Sequence, residues 1–409
     1  MLKKIYNKVK QRGFKDTSLF TYKRVQNIIY KILNNSKHKD ELNTILDKHP
    51  TQTIVILPPL VDWNIPLFQR PQHLAKNMAK NNILYFYTTS SKLYDNVNGF
   101  EQISENCYLT NRFDLVDEIT DRKKVYDLSS TDNSTDWKFV SKRLDRGDGI
   151  IYQYIDEISD EISGHKIPES LFEKHFNILK DERCIVIPSA SKLEDDVKEH
   201  RTTNYKLVTN GVEIEHFSQA ITEEQYPTLV KDILLKNKPV IGYFGAFANW
   251  FDYELIIKLA TERPDLEILL LGVDYDGSIK KYKLEQYDNI TIAGPIDYKE
   301  LPKYAAAFSV STIPFLINDI TESTSPIKLF EYMAMGKPIV TTDMPECRKY
   351  ESVLIGKSHE EFIEKIDEAL KLREDKEYAK LLEKEALENS WESKAKDIVK
   401  MIEKNESKN

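Results

Sequence analysis

Short apolar runs rich in Ile, Val and Leu recur along this chain, and stretches of helical periodicity separate them. A strand buried on both faces reads as an unbroken apolar run, and parallel strands need a long, usually helical, crossover between them. The first series opens with Thr53-Ile54-Val55-Ile56-Leu57, which closes on Pro58-Pro59. Further strands are predicted at Ile83–Tyr87, Ile150–Tyr154, Cys184–Pro188 and Lys206–Val208, with helices at Gln72–Lys80 and Glu169–Leu179. A second series follows at Pro239–Gly245, Glu267–Gly272, Asn289–Gly294, Val310–Pro314 and Pro338–Thr342. Its helices are Tyr253–Thr261, Tyr298–Phe308 and Pro326–Met335. The pattern predicts an α/β chain with two doubly wound, Rossmann-like domains.

The expected boundaries are a basic helical extension over residues 1–50, a first domain over 51–215, a second over 216–385 and a C-terminal helix over 386–409 that packs back on the first domain. Helices are predicted at Glu360–Leu372, Lys376–Glu388 and Trp391–Lys404. Residues 1–50 hold twelve Lys and Arg against four acids, so this end is +8 while the whole chain is −8. A basic end on an acidic body suggests an anionic surface as its partner. Val25, Ile28, Ile29, Ile32 and Leu33 share one helical face. That helix either packs on the neighbouring domain or lies on a membrane with its cations at acidic headgroups.

Three scattered cysteines, Cys107, Cys184 and Cys347, form neither a disulfide framework nor a metal spacing. No run reaches the roughly 18 apolar residues of a membrane span, and no signal-peptide pattern opens the sequence. The expectation is a cytoplasmic protein, at most peripheral on the inner membrane face. The acidic body also argues against nucleic acid as a partner.

The chemistry concentrates between Asn318 and Val340. Ser325 suits a helix N-cap and Pro326 the first helical position. A helix start after a strand offers free N–H groups and the positive dipole end to an anion. Lys328 lies in the first turn, and Glu331 about a turn deeper could accept two ribose hydroxyls. The plainer alternative is an ordinary capped helix with both residues solvated. Gly336 suits the position after the helix. Asp274-Tyr275-Asp276 follows a strand and reads as a polar loop rather than a metal pair, and no metal site is expected.

This stretch resembles the donor-binding signature of GT-B glycosyltransferases. It is most similar to retaining family 4 and its teichuronic-acid and capsule-type branch, with a core of Ser325-Pro326, Lys328 and Glu331-Tyr332. Other similar motifs follow in order: Gln69–Ala75, Ile151–Asp156, Asn210–Phe217, and Ile241–Gly245 with Trp250 and Asp252.

The resemblance implies two Rossmann-like domains facing across a cleft. It also implies a nucleotide-sugar donor, UDP-linked, a glycan or lipid-linked acceptor, and no required cofactor. Glu331 would hold the ribose. Ser323, Thr324, Ser325, Pro326, Ile327 and Lys328 would hold the diphosphate, and Gly245 would let the backbone approach the nucleotide. Asn210 and Gly211 would line the cleft, with Arg70 and His73 toward the acceptor. Asp156, Glu322 and Lys328 are the catalytic candidates.

Two departures shift the load. Many relatives carry a Glu eight residues before the ribose Glu, where this chain has Ser323, with Glu322 one residue early. Many also carry a basic pair after the Gly turn, where Ala246–Phe251 is uncharged. Phosphate neutralisation then falls on Lys328, the helix dipole or Arg70. A nucleotide-sugar epimerase and a non-catalytic, glycosyltransferase-like binding subunit are the rival functions.

Overall fold

A computed structural model of the chain describes residues 33–65, 68–90, 94–160 and 166–406. The expected helices before residue 33 lie outside the described residues. Packing divides the described chain into two compact units. The first gathers residues up to Gln153, Pro168–Val186 and the chain end from Val399. The second gathers Tyr154–Ile167 and Ile187–Ile398. The boundary expected at 215/216 falls inside the second unit.

The first sheet has seven strands: β1 (Thr53–Leu57), β2 (Ile83–Thr88), β3 (Phe100–Ser104), β4 (Cys107–Thr110), β5 (Lys124–Ser129), β6 (Gly149–Tyr154) and β7 (Cys184–Pro188). Their order is β3-β4-β2-β1-β5-β6-β7. β1 pairs in parallel with β2 and β5, and β3 is antiparallel to β4. The core is the buried apolar faces of β1, β2 and β6, covered by Leu74 and Met78 of the helix Arg70–Ala79 and by Ile178 of the helix Glu169–Lys180. The helix Asn35–Lys48 buries His38, Leu42 and Ile45. The buried Arg112 guanidinium holds its start, meeting His38 Nδ1 at 2.7 Å and donating to Asn35 Oδ1 at 2.6 Å.

Three strands of this sheet escape the sequence pattern. β3 alternates between exposed and half-buried positions at the sheet edge. β4 is short and mixed, Cys-Tyr-Leu-Thr. β5 buries two charged residues, Lys124 and Asp127. Lys124 Nζ donates to the Asp117 carbonyl at 2.7 Å and Asp127 accepts from Tyr85 and Gln153, so partners make those charges tolerable. The strand predicted at Lys206–Val208 joins neither sheet. Val208 N–H donates to the Pro188 carbonyl at 3.0 Å, which anchors the segment without a ladder.

The second sheet has six strands: β8 (Val240–Phe244), β9 (Glu267–Leu271), β10 (Ile290–Ile292), β11 (Val310–Ile313), β12 (Ile339–Thr342) and β13 (Val353–Gly356), in the order β10-β9-β8-β11-β12-β13. All its pairings are parallel. β13, Val-Leu-Ile-Gly, was not among the predicted strands. The helices His359–Leu372, Lys376–Glu388 and Trp391–Glu406 complete the described chain.

The strand ends of this sheet bring backbones into close contact. Gly245 follows β8 with φ 145°, and its N–H donates to the Leu271 carbonyl at 2.9 Å. A Cβ on Gly272, whose φ is 156°, would lie 1.6 Å from the Gly245 carbonyl oxygen. Gly272→Ala should therefore lower the melting temperature of the second unit by ten degrees or more, or abolish its folding. Gly277→Ala, where φ is 80° but no atom lies within 4 Å of the new carbon, should cost about 1 kcal/mol. Thermal denaturation of the two variants checks the contrast.

Candidate active site

The site is built at the carboxyl ends of β8 and β11, where ligands bind in open α/β sheets. Tyr243, buried in β8, donates its hydroxyl to the Ala246 carbonyl at 2.8 Å and so folds the loop after Gly245 back on the strand. Asp252 ends that loop and caps the helix Tyr253–Glu262 by accepting from Leu255 N–H at 2.9 Å. Its other oxygen meets His359 Nε2 at 2.8 Å. After β11, Asn318 caps the short helix Asp319–Glu322.

The helix that follows spans Ile327–Ala334, with Pro326 rather than Ser325 as its N-cap and no side-chain cap. The sequence reading of Ser325 as the cap is thus corrected. Ser325 is instead joined to Asn210: its hydroxyl accepts from Asn210 N–H at 3.3 Å and its carbonyl from Asn210 Nδ2 at 2.7 Å. Asn210 leaves Ser325 no freedom to turn inward and cap. Ser323 and Thr324 are also committed, their hydroxyls returning to the Asp319 and Ile320 carbonyls at 3.0 and 2.6 Å. Ser323 therefore offers no ready replacement for a sugar-binding carboxylate. Glu322 is half-exposed, 3.9 Å from Lys192, which also meets Glu157 at 3.0 Å.

Lys328 and Glu331 stand differently from these neighbours. Glu331 is 7% exposed, and among the described residues its carboxyl has no hydrogen-bond or ion-pair partner. Lys328 is partly buried and likewise has none among them. The picture of both as solvated surface residues is overturned. Burial raises the Glu331 carboxyl to about 8, with the Lys328 charge opposing. Burial lowers the Lys328 ammonium to about 8, with Glu331 opposing. Buried polar groups are ordinarily satisfied, and a desolvated, perturbed pair in the first turns of a helix is a functional-site candidate.

Gly245 lies against this pair. A Cβ there would come within 2.8 Å of both Lys328 Cε and the Tyr243 hydroxyl, so a side chain at 245 would strike Lys328. Tyr298 faces Glu331, and burial together with that carboxylate raises its phenol pKa. His216, from the motif that Asn210 opens, stacks on Tyr298 at 4.3 Å and contacts its carbonyl at 2.9 Å. Tyr243 and Tyr298 carried no assigned role in the sequence, where aromatics in strands and loops read as core.

Gly211 packs on backbone. A Cβ there would lie 2.6 Å from the Asn389 carbonyl oxygen, and Val212 exchanges hydrogen bonds with Asn389 and Trp391. Asp156 is exposed just after β6. Asp274 and Asp276 accept from the N–H groups of Gly277, Asn249 and Ser278, as loop carboxylates do.

In the first unit, Arg70 is 4% exposed and donates twice to Gln153 Oε1, at 3.2 and 3.0 Å. Gln153 Nε2 donates to Asp127 Oδ1 at 3.0 Å, and the Tyr85 hydroxyl to Asp127 Oδ2 at 2.8 Å. Burial lowers the Arg70 guanidinium to about 10 and raises the Asp127 carboxyl. Arg70 is thus invested in an internal network rather than held ready for phosphate. His73 is 1% exposed, edge-on to Phe68 at 4.8 Å, and not on a helix surface.

Residues 238–372 match the family described as Glycosyl transferases group 1. The chain is 27% identical over 271 residues to a Bacillus subtilis (strain 168) protein named as the teichuronic acid biosynthesis glycosyltransferase TuaH. The match spans 62% of this chain and 66% of the relative, just under two thirds of its length. Sucrose-phosphate synthase from Thermosynechococcus elongatus superposes with a TM-score of 0.61 at 15% identity, over 88% of this chain and all of that one. Anabaena HepE, solved with UDP-glucose, gives 0.59 at 13% identity over 86% of this chain and 99% of its own. WaaG, a glycosyltransferase involved in lipopolysaccharide biosynthesis, gives 0.53 at 15% identity over 84% and 98%. The fold is GT-B, two Rossmann-like domains with a helical C-terminal end.

A carboxyl whose pKa is higher in the folded than in the unfolded chain stabilises most at low pH, and that contribution fades as pH rises to the folded value. Glu331 rises from 4.5 to about 8. Glu331→Gln should therefore gain stability over the parent as pH climbs from 5 to 9, by about 4 kcal/mol, or several degrees of melting temperature. Calorimetric scans across that range check it; a gap independent of pH contradicts the buried, raised carboxyl.

Proposed function

We propose that this chain is a glycosyltransferase that moves a sugar from a nucleotide-sugar, UDP-linked, to a glycan or lipid-linked acceptor in cell-surface polysaccharide synthesis. Retention of anomeric configuration is part of the proposal and follows from the family resemblance. The observation that carries the reading is the unpartnered Lys328 and Glu331, placed one turn apart on the helix Ile327–Ala334. In this reading the Glu331 carboxyl accepts the ribose hydroxyls. Lys328 and the free N–H groups of the helix start receive the diphosphate. Asn210 holds that start in place through Ser325.

The reaction asks for stabilised charge more than for proton transfer. The bond that breaks joins the anomeric carbon to the donor's β-phosphate oxygen, and charge grows on the departing nucleoside diphosphate. Pre-aimed N–H donors and an ammonium meet that charge without reorganising, and loss of one such group typically costs about 3 kcal/mol. Asp156 and Glu322 remain the candidates for groups near the sugar and the acceptor hydroxyl.

Titration calorimetry with UDP-, GDP- and ADP-sugars tests the donor class, and UDP-sugars should bind tightest. Glu331→Ala should weaken UDP binding at least tenfold. Lys328→Ala should slow transfer about a hundredfold with little loss of folding. Below about 8 Lys328 is charged, so UDP affinity should fall as pH rises through that value. Unchanged UDP affinity in Glu331→Ala would remove the ribose role. Nucleotide binding without transfer to any acceptor would favour the binding-subunit reading, and sugar-nucleotide turnover without an acceptor the epimerase.

Location belongs to the same proposal. No helix among the described residues is long and apolar enough to cross a membrane. The basic residues 1–50 would dock a cytoplasmic enzyme on anionic lipid. Deleting them should reduce binding to vesicles containing phosphatidylglycerol, and the difference should shrink as salt is added. Equal sedimentation of the full and shortened chains with such vesicles would assign that segment to packing alone.

A further inference from the structure

The uncharged loop after Gly245 leaves open what steadies the cation beneath it. Two aromatic rings lie there. The Lys328 ammonium sits over the Phe315 ring, 4.8 Å from its centroid, and over the Tyr243 ring at 5.5 Å. The rings support one another, their centroids 6.1 Å apart at 66°. Phe315 is 4% exposed and Tyr243 fully buried, so both faces are fixed by packing. Phe315 is also next to backbone that pins the loop, since Asp252 N–H donates to the Pro314 carbonyl and Leu316 N–H to the Trp250 carbonyl, each at 2.8 Å.

We infer that Tyr243 and Phe315 are positioning residues for the phosphate-binding cation: their ring faces hold the Lys328 ammonium beside the Gly245 turn with its hydrogens unspent. The inference rests on the reading of Lys328 as the cation that meets the donor's diphosphate. A carboxylate partner would fix a lysine equally well, but it would compete with phosphate for the same N–H bonds. An aromatic face attracts the charge through its quadrupole and leaves those bonds available. The ionisable groups around Lys328 fit this division. Glu331 lies a turn further on, the Cys347 thiol is pushed up to about 12 by burial and stays neutral, and the Tyr243 hydroxyl is engaged with Ala246.

The test uses the full chain and two readings. The first is UDP affinity by titration calorimetry. The second is the titration of Lys328 without nucleotide, followed by NMR after reductive ¹³C-methylation and assigned by its loss in Lys328→Arg. Phe315→Leu keeps bulk and removes the quadrupole. It should weaken UDP binding about threefold to tenfold and move the Lys328 titration to lower pH. Phe315→Tyr, which keeps the ring, should stay near the parent in both readings. Phe315→Met serves if the Leu variant does not fold. Parent-like UDP affinity and an unmoved Lys328 titration in the ring-removing variant would overturn the inference. If the parent chain itself binds no UDP, the donor reading fails, while the Lys328 titration still decides whether the rings hold the cation.

Discussion

The carbonyl oxygen of Gly245 occupies space that any side chain at residue 272 would need, and much of the second unit's functional end follows from that contact. Two parallel strands, β8 and β9, are held at ladder distance along their lengths, and just past their ends the Gly245 carbonyl lies so close that position 272 tolerates no Cβ. The result is a turn whose location is set by backbone rather than by side-chain packing. Tyr243 and Lys328 press on the same turn from below, so the height of the lysine over the strand end is set too. Sub-ångström placement of a charge matters because the electrostatic contribution to catalysis depends on donors being aimed before charge develops.

The site holds groups in states that water would not favour. A buried carboxyl pushed to about 8 and an ammonium lowered to about 8 share one helical turn, yet they do not close into an ion pair. A direct pair would be more stable and would leave nothing for a ligand to do. Binding sites commonly give up stability in this manner, and the surrounding packing makes it tolerable. Here the neighbours Leu329, Phe330, Tyr332 and Met333 are all buried, and the Tyr332 hydroxyl accepts from Phe244 N–H at 3.0 Å.

Much of the fold was legible because parallel strands advertise themselves as apolar runs. β8, β9, β11 and β12 and the helix behind Pro326 fell within a residue or two of expectation. The misses share a cause. β5 contains Lys124 and Asp127; Lys124 is satisfied by the Asp117 carbonyl seven residues back, and Asp127 by Tyr85 and Gln153, 42 and 26 residues away. Lys206–Val208 is apolar enough for a strand but joins neither sheet; Val208 N–H donates to the Pro188 carbonyl, and Lys206 pairs with Asp397 at 2.8 Å. Lys328 and Glu331 were singled out through helix-start chemistry and family resemblance, and the structure places both on one turn with burial shifting each. The Ser325 cap failed because its hydroxyl is claimed by Asn210, more than a hundred residues away. Tyr243, Phe315 and Tyr298 gave no signal, since an aromatic beside a strand looks the same whether it fills a core or holds a charge.

The chain of side chains from Arg70 through Gln153 and Asp127 to Tyr85 has a consequence for how the first sheet finds its alignment. Uniform apolar strands such as β1 and β2 could slide past one another with little change in burial. Tyr85 belongs to β2, Asp127 to β5 and Gln153 to β6, with β1 lying between the first two. A slip of one residue turns alternate side chains to the opposite face of a sheet. It would strand a guanidinium, a carboxylate and an amide without partners in an apolar interior, a penalty far larger than that of mismatched methyl groups. The network acts as a vernier mark across four strands, one that only a single alignment can satisfy.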